Sequence, residues 1–176
     1  MRARPAAVAA VTSLCFASPA DATPKRGTFV QTDTLGMNVV SYNFDTGKTT
    51  TAGDVAALSE FLGVHYFVLD GLRIGLNFQF SEYLTQPKPG QRRLATFAAL
   101  PQIGWHFWGP LFAALVFTLA PWTGGGPEHD LGVQAVFGGA YKLGRVSLTG
   151  AIEVPYNFLV ARTIGLTPLL GISIKL

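Results

Sequence analysis

The sequence predicts an all-β fold: an eight-stranded antiparallel up-and-down β-barrel that crosses a membrane. Residues 146–158 and 162–176 alternate between apolar side chains and small or polar ones, as strands with two different faces do. Both runs are longer than the ~9–11 residues with which an oblique strand crosses a bilayer. Hydrophobic residues make up 49% of the chain and charged residues only 13%, whereas a charged share of about a quarter is usual.

The two faces of these strands decide between a membrane protein and a soluble one. A soluble sandwich buries its bulky apolar face and turns charged side chains to water. Here the second face of residues 146–158 carries one charge rather than a row of charges: its residues are Ser147, Thr149, Ala151, Glu153, Pro155 and Asn157. We therefore assign the bulky face to lipid. A soluble, lipocalin-like barrel is the rival fold, and it predicts that the bulky face points inward.

Charge and cysteine content exclude some classes of protein. The net charge is +3, and no basic helix is predicted, so nucleic acid is not expected as a partner. The one cysteine, Cys15, lies in a segment that we expect to be removed, which leaves no disulfide.

Residues 1–22 are typical of a secretory signal peptide. Arg2 and Arg4 precede a short apolar run, and Ala20-Asp21-Ala22 is a cleavage site of the small-x-small type. Cleavage after Ala22 would leave residues 23–176 as one outer-membrane β-barrel domain.

The first predicted strand covers residues 28–44, and its alternation changes phase. Leu35 and Met37 share one parity, while Tyr42 and Phe44 share the other. One extra residue in a β-bulge near Asn38 would reconcile them. Residues 45–48 form a turn.

Residues 51–62 allow two interpretations. Val55, Leu58, Phe61 and Leu62 have helical spacing after a possible capping box at residues 51–54. The alternative is a second strand that ends near Val68. The other predicted strands are residues 72–80, 96–107, 111–122, 131–141, 146–158 and 162–176.

The connections between the predicted strands differ in length. Those near residues 70, 109 and 143 are tight, and those at 85–93, 123–130 and 157–162 are longer, although the first, at 45–50, is short. Bacterial outer-membrane barrels have short periplasmic turns and longer outer loops. Two groups of aromatic residues flank the turns and the loops, as interfacial belts would.

The segment at residues 66–76, Tyr-Phe-Val-Leu-Asp-Gly-Leu-Arg-Ile-Gly-Leu, resembles a turn of the small outer-membrane β-barrel proteins of the OmpA-transmembrane, OmpX and opacity-protein kind. The tail is similar to the signal that the barrel assembly machinery reads, with Gly171, Ile174 and Leu176 at the signal positions. Leu176 stands where that family has an aromatic residue, and Leu169 where it has a polar one.

The resemblance implies a Gram-negative-type outer membrane and assembly in that membrane by that machinery. Separately, we expect no cofactor, no peptidoglycan-binding domain after the barrel, and a monomer in contact with lipid and lipopolysaccharide.

Several polar residues are predicted to point into the barrel. Alternation places Arg73, His106, Lys142, Glu153 and Lys175 inside, and buried charges should pair. Arg73 with Glu153 is the best candidate for an internal ion pair. Such a network would act either as a polar plug or as a path for protons or ions.

Two outer loops carry further charged groups. Lys88, Arg92 and Arg93 could hold lipopolysaccharide phosphates through charge-assisted hydrogen bonds. Residues 128–130, Glu-His-Asp, are adjacent and alternate in direction, so they cannot easily converge on one metal ion. We predict no metal site and no catalytic residue.

The predicted function is structural: an integral outer-membrane protein that supports envelope integrity or contacts at the cell surface, without catalysis. One alternative is a narrow channel for a small solute, since inward glycines such as Gly63, Gly75 and Gly104 leave room. The other is a lipid-modifying enzyme at the outer rim with His129 as its base.

Overall fold

The computed structural model describes residues 23–51, 57–83, 95–108, 110–123, 131–158 and 162–176. Within these ranges no helix is long and apolar enough to cross a membrane. The described residues form ten strands: β1 (Phe29–Met37), β2 (Val40–Asn43), β3 (Lys48–Thr51), β4 (Ala57–Phe67), β5 (Leu72–Tyr83), β6 (Ala95–Trp108), β7 (Leu111–Thr123), β8 (Leu131–Leu143), β9 (Val146–Asn157) and β10 (Thr163–Lys175).

These strands close into an antiparallel barrel. Hydrogen bonding runs from β1 through β4 and on to β10 in chain order, and β10 pairs back with β1. β2 continues β1 along β10, and β3 pairs with β2. The ten segments therefore make eight barrel strands, with β1–β2 and β3–β4 each counting once. The predicted fold class is confirmed, and the pairing of β1 with β10 joins the two edges of the sheet, as a backbone in lipid requires.

The predicted bulge interrupts the first barrel strand. Gly36 lies opposite Leu169, and Val40 lies opposite Leu166. The three residues 37–39 therefore lie opposite only the two residues 167–168, so the first strand contains one extra residue, as in a β-bulge. The extra residue reverses the alternation, so that the apolar side chains on both sides of it face outward.

The second barrel strand settles part of the helix question. Residues 57–67 form β4, which pairs with both β1 and β5. The strand interpretation is confirmed there, and the helical one is wrong for residues 57–62. Residues 52–56 lie outside the described ranges. A helix would place Leu58 and Phe61 on one face, whereas the strand points Leu58 outward and Phe61 inward. Hydrogen bonding to two neighbouring strands outweighs the local helical spacing.

The bulky face of the barrel points outward. Phe137 and Leu170 are 58% and 60% exposed, whereas inward Leu100 is 0% exposed. An apolar surface of this extent is stable in lipid and not in water. The lipocalin-like alternative, which required the bulky face inside, is wrong.

The centre of the barrel is filled by apolar side chains. Leu100, Val116, Phe61 and Leu169 are nearly inaccessible and come from β6, β7, β4 and β10. Each lies near the middle of its strand, so together they form a layer across the barrel. We call these four residues the central layer.

Aromatic rings collect near both ends of the barrel. Phe29 packs on Tyr66 with a centroid distance of 4.7 Å near the end that carries the tight turns, here called the turn end. At the opposite end, the loop end, Tyr42, Phe44 and Tyr156 pack in sequence. Such girdles are typical of membrane barrels.

A polar clasp joins the two sides of the β2–β10 seam at the loop end. The backbone N–H of Arg162 donates to Asp45 Oδ2 at 2.9 Å, and its Nε donates to Oδ1 at 2.8 Å. These hydrogen bonds hold the pKa of the exposed Asp45 carboxyl below its usual range. The clasp closes the barrel where its first and last strands meet.

Two carboxylates lie on the outer face among apolar residues. Asp33 shares the outward parity of Leu35, while its neighbour Thr32 points inward. Glu60 is exposed between Leu58 and Leu62 on the adjoining strand β4. Because Asp33 pairs with Leu62, the two carboxylates are diagonal neighbours on the lipid-facing surface.

Candidate functional site

A cavity of about 280 Å³ occupies the interior between the central layer and the turn end. Phe61, Val116 and Leu169 of the central layer form its inner limit, and Lys142 and Arg145 lie at its mouth. The walls between them alternate apolar side chains with polar ones. This cavity is the candidate site, because it gathers the buried polar side chains of the turn-end half.

A histidine is held in place by hydrogen bonds in the cavity wall. His65 Nε2 lies 2.9 Å from Thr32 Oγ1, and the Gln102 amide nitrogen makes a short hydrogen bond to His65 Nδ1. Since an amide nitrogen only donates, Nδ1 accepts and Nε2 donates to Thr32. The ring is thus held in the cavity wall by contacts to both of its nitrogens.

Sequence reasoning missed His65 and Gln102. The available signal was the parity of β4, which puts His65 on the same inward face as Phe61 and Phe67. A second signal was Gly63, where a Cβ would come within 2.6 Å of Thr32 Oγ1 and 2.7 Å of His65 Nε2. A glycine at this position leaves the space that the neighbouring buried polar side chains occupy.

Arg73 lines the cavity, and its Nε lacks a hydrogen-bond partner among the described residues. The residue is 9% exposed, and its Nε is a buried donor with no hydrogen-bond acceptor among the described residues. The guanidinium carbon lies 5.1 Å from the centroid of the Phe112 ring, which is a cation–π contact. Gly104 lies beneath it, where a Cβ would approach Nε to 2.9 Å.

His106 packs against the same aromatic ring. Its ring lies 5.4 Å from that of Phe112 and 5.5 Å from that of Phe67. Its Nε2 is buried and has no hydrogen-bond partner in the described part of the chain. Arg73 and His106 are therefore both inside, as the alternation predicted, and each has an unpaired nitrogen beside Phe112.

Glu153 lines the same cavity from β9 and is 3% exposed. Among the described residues it forms no ion pair with Arg73, so the expected internal ion pair is absent. β5 and β9 are four barrel strands apart and face each other across the barrel. Arg73 is also near the turn end of its strand, whereas Glu153 is deep in the interior. Alternation correctly predicted that Arg73 and Glu153 point inward, but it could not predict where around the barrel each one lies.

The predicted interior residue Lys175 lies instead at the mouth. Lys175 and Lys142 are both exposed, although both line the cavity. Each stands at the turn end of its strand, where a long side chain can keep its ammonium group in water. The interior network therefore does not include either lysine.

A short segment of the chain contributes to the cavity lining at the turn end. Thr23, Pro24 and Lys25 line the cavity, and we call them the strap. The Lys25 ammonium donates to Asp70 Oδ2 at 3.0 Å, and the Arg26 N–H donates to Asp70 Oδ1 at 2.8 Å. These two hydrogen bonds lower the pKa of the exposed Asp70 carboxyl.

Other predicted site residues lie elsewhere or outside the described ranges. Lys88, Arg92 and Arg93, and the sequence 128–130, are not described, so these predictions stay open. In β10, Ile174 points outward, Leu176 is 69% exposed, and Gly171 faces Thr34 of β1. Among the described residues no group of three potential metal ligands occurs.

Comparison with known proteins shows the fold. No protein-family model matches the chain, and no curated protein matches it. The crystal structure of Neisserial surface protein A has a TM-score of 0.60 and 15% identity, over 85% of this chain and 97% of that one. The outer membrane protein OprG from Pseudomonas aeruginosa has a TM-score of 0.55 and 9% identity, over 88% and 98%.

The fold is that of the small outer-membrane β-barrels. The predicted resemblance is confirmed at this level, since both neighbours are covered almost from end to end. The predicted location, as a multi-pass β-barrel of the outer membrane, agrees with this fold and with the apolar outer face of the strands.

Proposed function

We propose that this chain is a closed, non-conducting structural barrel of the outer membrane that supports envelope integrity, with its turn end in the periplasm. The observation that carries the proposal is the central layer. Leu100 is 0% exposed and Val116 is 3% exposed at the middle of the barrel. A layer of packed apolar side chains at this height excludes a continuous column of water.

The width of the barrel supports the same conclusion. An eight-stranded barrel has an interior just wide enough for its own side chains. The central layer takes side chains from four different barrel strands, so it extends across the interior rather than along one wall. Opening it would require several of them to move together.

The inward glycines do not supply an open path. The space above Gly104 holds Arg73, and the space above Gly63 holds Thr32 and His65. At these two positions polar side chains take up the room that the channel hypothesis assigned to a solute, and the cavity that remains is limited by the central layer. This packing favours the structural role over transport.

Conductance in a planar lipid bilayer tests the proposal. The folded protein is expected to give no current steps above the bare membrane. The double variant Leu100→Gly, Leu169→Gly, which removes two large side chains from the central layer, is expected to conduct and so to show that the protein inserts. Steady current steps from the unaltered protein would overturn the closed-barrel proposal.

A test in cells addresses the role itself. A strain that lacks the protein is expected to admit large apolar antibiotics more readily, and the chain is expected to restore the barrier. We also propose that Lys88, Arg92 and Arg93 hold lipid phosphates. The triple variant Lys88→Gln, Arg92→Gln, Arg93→Gln is expected to restore the barrier equally well and to retain less lipopolysaccharide in a binding assay. Unchanged antibiotic entry would contradict the structural role.

We also propose that the chain acts as a monomer without a catalytic role. The tail from Gly171 to Leu176 would serve as its assembly signal. Support comes from the exposed side chains of Ile174 in β10 and of Leu176 directly after it, which are accessible to an assembly factor. Replacement of both by Ser should lower the folded fraction, measured as the heat-modifiable band on a denaturing gel.

A further inference from the structure

We propose that the turn-end cavity is a binding site for a small organic anion, whose anionic group is held by the guanidinium of Arg73. This inference concerns the interior of the barrel and goes beyond the structural role, which needs no ligand. It rests on the charge of the cavity, on an unpaired buried donor, and on the shape and chemistry of the walls.

The charge of the cavity favours an anion. Its lining includes five cationic side chains and one carboxylate, that of Glu153. Because the Lys25 ammonium is paired with the Asp70 carboxylate, four unpaired cations against one carboxylate leave an excess of three positive charges (four minus one) with the histidines neutral. A concave site with low-dielectric walls concentrates the potential of such charges. The cationic residues are Lys25, Arg73, Lys142, Arg145 and Lys175.

The second observation is Arg73 itself. A guanidinium carries five N–H donors and is always charged, so a buried one needs acceptors. In the described residues no acceptor meets Nε, and no carboxylate pairs with the group. Carboxylate and phosphate oxygens match the fork of a guanidinium and form its strongest hydrogen bonds.

The protein holds this donor in place rather than leaving it to adapt. The Phe112 ring packs on one side of the guanidinium, and Gly104 leaves the space that Nε occupies. A donor that is already positioned loses little conformational freedom when a ligand binds. His106, with its own unpaired Nε2 beside Phe112, offers a second polar contact.

The walls define the class of ligand. Beyond Arg73 the cavity is limited by Phe61, Val116, Val136 and Leu169, which suit a short apolar chain. A volume of about 280 Å³ is just below the range for small-molecule sites, which begins at about 300 Å³. This small volume disfavours a bulky polyanion. The ligand is therefore a small carboxylate or phosphate with a short apolar part.

The test uses the full barrel, folded in uncharged maltoside micelles. Hexanoate and inorganic phosphate serve as probes, one with an apolar tail and one without. The readouts are calorimetric titration and the NMR signal of the Arg73 Nε–H. We expect saturable binding at one site, competition between the two probes, tighter binding of hexanoate, and a shift of the Arg73 signal with the same saturation curve.

Variants separate the site from general attraction to positive charge. Arg73→Met should weaken hexanoate binding about tenfold or more, because charge-assisted hydrogen bonds are lost. Arg73→Lys keeps the charge but loses the fork, and should lie between. Arg26→Met is the matched control: Arg26 is exposed at the same end and does not line the cavity, so affinity should change less than about twofold.

Two outcomes would overturn the proposal. One is an Arg73 signal that does not move in the unaltered protein while hexanoate binds elsewhere. The other is binding that never saturates and weakens with salt equally in all variants, which would be an adventitious anion effect only. The NMR signal of Arg73 is measured in the unaltered protein, so the test remains valid even if Arg73→Met fails to fold. Bilayer conductance is independent of both results.

Discussion

Replacement of the lipid-facing carboxylates by apolar side chains should stabilise the barrel. Asp33 is four residues from Phe29, whose ring packs on Tyr66 in the turn-end belt. At ~3.4 Å per residue and a strand tilt of ~40°, this places it ~10 Å above the belt. Glu60, six residues from Tyr66, lies ~15 Å above it. In an apolar band ~25 Å tall, both are near the midplane.

The expected gain follows from this depth. Lysine or arginine at the midplane costs ~2–4 kcal/mol, and acidic residues cost less, so Asp33→Val and Glu60→Leu should each stabilise by about 1–2 kcal/mol. Either variant also removes the repulsion between diagonal neighbours. The double variant should therefore gain less than the sum of the two single variants.

Reversible unfolding by denaturant in lipid vesicles, followed by tryptophan fluorescence, measures these gains. Leu62→Ile is the control, because it exchanges one apolar side chain for another between the two carboxylates. The reasoning is refuted if Asp33→Val and Glu60→Leu are neutral or destabilising while the control is neutral. The carboxylates would then face something other than lipid.

Two further predictions concern the ends of the barrel. Gly71 has φ +79°, and a Cβ there would lie 2.6 Å from the His106 carbonyl oxygen, so Gly71→Ala should destabilise by about 1–3 kcal/mol in the same assay, and an unchanged midpoint would contradict this. The Asp45 carboxyl should titrate below its ordinary 3.8 in a carbon NMR titration. The clasp's contribution is complete above that pH and is lost as pH falls through the lower, folded-state pKa; Asp45→Asn should abolish this dependence.

Alternation alone predicted most of the fold. The phase change between Met37 and Tyr42 was enough to place the bulge, because one inserted residue is the simplest way to keep apolar side chains in lipid on both sides of it. The bound at the loop end of β5 was less accurate: the strand continues to Tyr83 rather than ending at Phe80. Polar residues near this end follow no alternation, since water replaces lipid there.

The site was predicted less well, for a geometric reason. Alternation assigns a side chain to the inside of the barrel but gives neither its height nor its position around the circumference. Arg73 and Glu153 were both correctly placed inside and wrongly paired, because their strands are opposite one another. Lys175 has the predicted inward parity, but its position at the turn end of β10 lets its ammonium group reach water.

The pairing of β1 with β10 has a consequence for how the molecule is made. Val30 lies opposite Lys175, so the contact that completes the cylinder joins residues 145 positions apart (175 minus 30). Closing a loop of that length costs ~4 kcal/mol in chain entropy, compared with far less for each neighbouring hairpin. Until β10 arrives, β1 is an unpaired edge on a nascent sheet, open to aggregation. The exposed edge of β1 must therefore be protected until the barrel closes, although in the closed barrel this edge is paired.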